Sequence, residues 1–392
     1  MPSGFFPAVE PDSPVFPLLD RLQPAVQSEI EHHAGVATTV HTELRTAVRP
    51  TGEVELRRFY WSRQHPDPRS PVGFGARTVY CDAKAPEPQT YVFPAEPALT
   101  WLADANGPLR SVGDGARIEV LRYIPLRRLT CRVHDGDRLP PAAIAKIKRP
   151  GGLDRAARAF AAVQEAADRS PSATLTLPRL LRVDAEQHVL YLEQLPGEPL
   201  NLAVARLDLA TAMAQLGALH RELQELDVRG LGTRLGTADW VEDARQAATQ
   251  IGLFVPSAMR TAERVFANLA RTAPEGAPVL YSQGDFLPGQ VLCHPDGWSV
   301  IDLDDSRYAD PLSEVAAMYV GLARELAMTP ERTELARQTY VEAYAQRSGE
   351  RFDRRRFEWF VVLVELRELG KRLVKGRASA DEVTSVLERL TG

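Results

Sequence analysis

The chain has 392 residues, 44% hydrophobic and 25% charged, with a net charge of −5 and a pI near 6.0. That length is generous for one core, so two or three substructures are expected. The acidic balance argues against a general nucleic-acid binder, while leaving room for a local basic groove. Cys81, Cys131 and Cys293 lie far apart without metal-ligand spacing and read as free thiols of a reducing compartment. "MPSGFFPAVEPDSPVFPLLD" has no basic region, and no segment reaches the roughly 18 apolar residues of a membrane span. The expectation is a cytoplasmic protein without membrane or nucleic-acid partners.

Along the chain, "PLLDRLQPAVQSEIEHHAG" predicts a short helix, and residues 38–100 are β-rich, with "EVELRRFYW" and "RTVYCDA" as strands. "EPALTWLADANG" reads as a short helix ending at Asn-Gly. "ARIEVLRYI", "RRLTCRVHD" and "AIAKIKR" then form an antiparallel meander, followed by the Ala-rich helix "LDRAARAFAAVQEAADRS". "TLPRLLRVDAEQHVLYLEQLPGEPL" is a pair of strands closed by a Pro-Gly turn. Three amphipathic helices, a polar hairpin and four more helices (311–327, 330–347, 353–375 and 379–390) complete the chain. The plan is α+β and bilobal, with boundaries near 100 and 196 separating an N-terminal extension or cap, a β-rich lobe and a helical lobe.

The hairpin, "YSQGDFLPGQVLCHPDGWSVIDLDD", is the most informative stretch. Centring its turn on Asp296 pairs His294 with Trp298, Leu292 with Val300 and Gln290 with Asp302, with Asp285 one loop further back. Carboxylates and an amide oxygen then converge on a volume that suits Mg²⁺, a hard cation completed by phosphates and water. Acids at strand ends are also ordinary turn formers. The chain has five lysines, and two stand in "AIAKIKRP". Lys146 and Lys148 share a face, so both turn inward or neither does.

This stretch resembles the catalytic segment of the aminoglycoside phosphotransferase family, small-molecule kinases with a protein-kinase-like fold. The resemblance spans roughly residues 110–325, and "YVFPAEPALTWL" resembles a segment seen before the kinase lobe in the trehalose-associated group of such phosphotransferases. It implies Asp285 as the catalytic aspartate in "QGDFLPGQ", orienting the acceptor hydroxyl and taking its proton. Gln290 and Asp302 become metal ligands, and Asp304 a further metal or substrate residue. "ADPLSEVA" keeps Asp310 and Pro311, with Glu314 as the following acid. Lys146 would grip nucleotide phosphates, paired with Glu165 on the next helix; Lys148 is the alternative. Glu193, Gln194 and Leu195 of "YLEQLPGEPL" would meet an adenine edge, and Arg127 and Arg128 would stand in for the absent glycine-rich turn, although strand-end arginines are also ordinary solvated residues.

The implied reaction moves the γ-phosphoryl group of ATP or GTP, with Mg²⁺, to a hydroxyl of an antibiotic, sugar or amino alcohol. Two positions depart from the pattern: Gln283 replaces a histidine and Gln290 an asparagine. With the glycine-free turn, these leave a catalytically weak nucleotide-binding protein as the alternative. Trp240, Glu242, Asp243, Tyr308 and Trp359 are the expected lining of the acceptor pocket, where acids would favour a cationic acceptor. His220 reads as a structural helix residue.

Overall fold

The computed structural model describes residues 10–13, 37–48, 54–64, 75–82, 85–92, 117–124, 128–134, 143–149, 151–170, 174–276, 278–348, 352–375 and 377–391. The expected helices at 17–35 and 96–107 lie outside them, as does Arg127. Strands β1 (Ala37–Val48), β2 (Val54–Gln64), β3 (Gly75–Asp82) and β4 (Ala85–Val92) pair in sequence order as an antiparallel sheet. A second sheet joins β5 (Arg117–Ile124), β6 (Arg128–His134) and β7 (Ala143–Lys148) to β10 (Val189–Glu193) and β9 (Leu180–Asp184), in the order β5-β6-β7-β10-β9.

Helix α1 (Gly152–Arg169) packs on this second sheet through Leu153, Ala156, Ala159, Phe160 and Val163, all buried. Strand β10 is central, with Val189, Leu190, Tyr191 and Leu192 all buried. Its unbroken apolar run is what coverage on both faces demands. The edge strand β9 leaves Leu181 and Val183 exposed.

The helical half is built from α2 (Leu209–Gln224), α3 (Thr237–Phe254), α4 (Met259–Arg271), α5 (Pro311–Glu325), α6 (Pro330–Ser348), α7 (Arg354–Val374) and α8 (Ala380–Thr391). Three of these starts are fixed by aspartate caps, whose carboxylates accept the orphan N–H groups of a first turn. Asp208 accepts from Thr211, Asp310 from Leu312 and Asp353 from Arg356. In α2, Gly217 lies against α6, where a Cβ would come 2.5 Å from the Tyr340 carbonyl oxygen.

Two small sheets interrupt the helices. β12 (Leu280–Ser282) pairs with β15 (Arg307–Ala309), while β13 (Val291–His294) and β14 (Gly297–Val300) form a hairpin. The hairpin is flanked by β11 (Glu198–Pro199) and β8 (Leu175–Thr176). The expected register is corrected by one residue. His294 pairs with Gly297, Cys293 with Trp298, Leu292 with Ser299 and Val291 with Val300. The connection is therefore the two residues Pro295–Asp296, with Gly297 at φ 149°. His294 and Trp298 are not partners, and Gln290 meets Ile301: the Ile301 N–H donates to the Gln290 carbonyl at 2.9 Å.

Candidate active site

Asp285 follows Gly284 in the loop after β12 and opens onto a cleft of about 1600 Å³ between the β5–β6 edge and the helical half. Gly284 has φ +98°, and a Cβ there would fall 2.2 Å from the Asp305 carbonyl oxygen. Only glycine meets both the left-handed backbone and that approach. Gln290, Asp302 and Arg128 line the same cleft. Asp302 itself adopts φ 63°, a conformation that aspartate tolerates better than most side chains. It turns the chain out of the hairpin into the one-turn helix Leu303–Asp305.

Across the cleft, β7 presents Lys146 and Lys148 together, as their shared strand face requires. Lys146 Nζ donates to Asp302 Oδ1 at 2.5 Å and to Asp304 Oδ1 at 3.0 Å, and Lys148 pairs with Asp304 Oδ2. Arg128 approaches Asp304 at 3.9 Å, and its Nε is buried without a hydrogen-bond partner. Three cations thus face two carboxylates. Burial pushes the Asp302 carboxyl up, but Lys146, Arg128 and Lys148 outweigh it and hold the group near 2. Burial likewise disfavours the Lys146 ammonium, and Asp304 and Asp302 more than compensate, raising its pKa.

The expected Lys146–Glu165 pair is not formed. Glu165 is 75% exposed and pairs with Arg169 on its own helix, one turn on. The face of α1 toward Lys146 is apolar, and the ammonium stands 5.7 Å above the Phe160 ring. Asp304 is 2% exposed and engaged by both lysines, so its carboxylate faces them and not the open cleft.

The loop that carries Asp285 is held from behind. Gln283 is fully buried: its amide nitrogen donates to the Ile301 and Asp302 carbonyls at 2.9 and 2.7 Å, and its oxygen accepts from the Asp285 N–H at 2.7 Å. One side chain therefore ties the Asp285 loop to the Asp302 turn. Glu314, one turn into α5, accepts from Gly284 N–H at 2.6 Å and lies 3.2 Å from His220 Nε2. Burial raises the Glu314 pKa, but the His220 contacts and the Gly284 N–H outweigh it, so the net shift is downward. His220 stacks on Phe286 with centroids 4.1 Å apart and meets the Tyr340 hydroxyl at 2.6 Å. The motif departure at Gln283 is thus a supported position with three hydrogen bonds. For Asp285 itself, the cleft walls displace water and Asp302 adds repulsion, which together push the carboxyl up to about 6 despite Lys371 nearby.

In the segment after β10, Glu193 accepts from the Arg179 N–H at 3.2 Å, the Gln194 amide donates to the Leu195 carbonyl at 3.0 Å, and Leu195 is buried. Among the expected acceptor-pocket residues, Trp240 borders the recess behind Asp285. Trp359 instead donates to the Leu269 carbonyl, Tyr308 to the Val228 carbonyl, Glu242 pairs with Arg245, and Asp243 with Arg367. Arg307, Arg367 and Lys371, which local pattern did not single out, line that recess. Among the described residues no helix is long and apolar enough to cross a membrane.

Residues 126–360 match the sequence model described as the phosphotransferase enzyme family. No curated protein matches the chain. A choline/ethanolamine kinase family protein from Mesorhizobium loti superposes with a TM-score of 0.49 at 18% identity, covering 74% of this chain and 90% of that one. Aminoglycoside phosphotransferase APH(3'')-Id from Streptomyces rimosus gives 0.49 at 22% identity, with coverages of 66% and 96%. A thermostable mutant of aminoglycoside phosphotransferase APH(4)-Ia gives 0.50 at 17% identity, with coverages of 70% and 93%, a likeness of fold. Matched over more than half its length by the family's sequence model, the chain belongs to the phosphotransferase enzyme family, kinase-type transferases of protein-kinase-like fold that use a nucleotide co-substrate.

Proposed function

We propose that this protein transfers the γ-phosphoryl group of ATP or GTP to a hydroxyl of a small molecule, with Asp285 as catalytic base. The observation that carries the reading is Asp285 opening onto the same cleft as Asp302, whose carboxylate is held by Lys146. Phosphoryl transfer asks little covalent chemistry of a protein and much charge placement. Asp285 orients the acceptor hydroxyl and takes its proton late in an in-line transfer. Lys146 releases part of its hold on Asp302 to meet the α- and β-phosphates, and Arg128 adds a guanidinium on the same side. Asp304 stays with the lysines and keeps them aimed at the cleft, the part the helix glutamate was expected to play. The strand end at Glu193, Gln194 and Leu195 offers its backbone to the nucleotide base.

Gln290 and Asp302 fit a magnesium ion. Both are hard oxygen donors on the cleft, and two protein oxygens are the usual complement when phosphates and water supply the rest. When bound, the ion would neutralise charge between the β- and γ-phosphates.

The test is nucleotide- and Mg²⁺-dependent thermal stabilisation, followed by ADP release against a panel of sugars, aminoglycosides and nucleoside antibiotics. Asp285→Asn should cut turnover by about 10²–10⁴-fold, the usual contribution of a positioned base, with little change in nucleotide binding. Unchanged turnover in that variant sinks the assignment. Nucleotide binding without any turnover would favour a weakly catalytic nucleotide binder instead.

A further inference from the structure

The helical side of the cleft is strongly basic. In a chain of net charge −5, the described cleft lining holds eleven arginines and lysines against six carboxylates. Arg122 and Arg128 belong to the β5–β6 edge, on the nucleotide side; every other basic lining residue comes from residues 307–389, in the helical half. Several of these are matched locally: Arg324 and Lys371 by Glu368, Arg372 by Glu382, Arg389 by Glu365.

Arg307 is matched differently. It lies on β15 beside the Asp285 loop and donates through Nη2 to the Gly284 carbonyl at 2.5 Å, while its Nε is buried with no partner. No carboxylate forms a salt bridge with it among the described residues; the nearby Glu314 carboxylate is taken up by Gly284 N–H and His220. Arg367 faces the same recess, 5.9 Å above the Trp240 ring and 3.4 Å from Asp243. Burial lowers the Arg307 pKa, Glu314 counters it, and Arg367 lowers it again by repulsion. Two guanidiniums that line one recess, one of them with an N–H left without a partner, offer a planar or tetrahedral anion several donors.

We infer that the acceptor alcohol carries an anionic group, a carboxylate or a phosphate, and that Arg307 and Arg367 receive it behind Asp285. This rests on the phosphotransfer reading above and gives its substrate class. A polycationic acceptor would meet like charge in the recess, which reverses the expectation drawn from Glu242 and Asp243. Those two acids are spent on Arg245 and Arg367.

The experiment is calorimetric titration of the full chain loaded with Mg²⁺ and AMP-PNP, so that the nucleotide side is filled, using inorganic phosphate, gluconate, glucose and kanamycin as probes. Phosphate or gluconate is expected to bind at least tenfold more tightly than glucose, and kanamycin not to compete. The stronger of the two anions identifies the source of the charge. Arg307→Gln and Arg367→Gln should each weaken anion binding tenfold or more, and Arg307→Lys should restore part of it. Because Arg307 also supports Gly284, each variant's thermal midpoint and AMP-PNP affinity are measured alongside, and Arg367→Gln on α7, which makes no hydrogen bond with Gly284 among the described residues, provides the independent arm. Failure of AMP-PNP to bind would overturn the phosphotransfer reading and the inference with it. Normal AMP-PNP binding with anion affinity equal in wild type and Arg367→Gln, or with kanamycin or glucose preferred, overturns the inference alone.

Discussion

Replacing Asp304 by asparagine is the sharpest probe of the charge cluster. Its carboxylate, 2% exposed, lies 3.0 Å from Lys146 Nζ, touches Lys148 and is 3.9 Å from Arg128. At an effective dielectric near 20, one charge pair at 3.0 Å attracts by about 5–6 kcal/mol, most of it offset by the loss of hydration on burial. Removing one partner of such a buried pair leaves the other uncompensated, at about 3–5 kcal/mol. Asp304→Asn leaves Asp302 alone against three cations and should cost that much. Lys148→Met relieves the excess positive charge in the Asn background, so the double variant should recover about 1–3 kcal/mol relative to the sum of the singles. Urea unfolding midpoints at constant m-value, for wild type, both singles and the double, complete the cycle. A single-variant cost below about 1 kcal/mol, or strict additivity, would refute the argument that Asp304 holds both lysines. The nucleotide KM of Asp304→Asn should rise as Lys146 loses its second anchor.

Four other outcomes follow from the loop. Asp285 must be ionised to accept a proton, so kcat/KM of the free enzyme should rise through a pH of about 6 and level off above it, read from a pH–rate profile. Because the folded chain favours the neutral form of this raised group, its stabilising share is present below the ordinary value of 3.8 and is lost as pH climbs through about 6. Asp285→Asn should therefore raise the thermal midpoint at pH 8 and leave it nearly unchanged at pH 4, a difference that calorimetry reads. Gly284→Ala places a Cβ 2.2 Å from the Asp305 carbonyl at a left-handed φ, so turnover should fall at least tenfold in a chain whose far-ultraviolet dichroism is unchanged. Gln283→Leu removes three hydrogen bonds and leaves the Asp285 N–H and the carbonyls it served unpaired, costing about 2–4 kcal/mol and loosening Asp285, seen as a lower kcat with nucleotide affinity retained.

Much of the fold is legible in local pattern because its elements carry their own signals. The helix of α1 shows in the spacing of Ala156, Ala159, Phe160 and Val163, and the start of α5 in Asp310-Pro311. Asp285 stands out through Gly284, whose left-handed turn no other residue allows, and Lys146 and Lys148 declare their common face by spacing of two. The hairpin register is less determinate. "HPDG" permits a two- or three-residue connection, and only the packing of Trp298 and Val300 into the core selects between them. Gln283 looks like a loss in the motif because a side chain's worth depends on the carbonyls it meets, and those of Ile301 and Asp302 lie 18 and 19 residues away.

What the sequence alone determined is the set of parts: an α+β chain, a glycine-set loop presenting Asp285, a strand with two lysines turned one way, and acids after a hairpin. These follow from backbone sterics and hydrophobic period, which act over a few residues. The tertiary structure decided the partners. Lys146 meets Asp302 and Asp304 across 156 and 158 residues, while Glu165, suitably spaced in sequence, turns outward to Arg169. The physical reason is that α1 buries its apolar face, which rotates Glu165 into solvent, so that among the described residues the buried lysines pair with Asp302 and Asp304 after the hairpin.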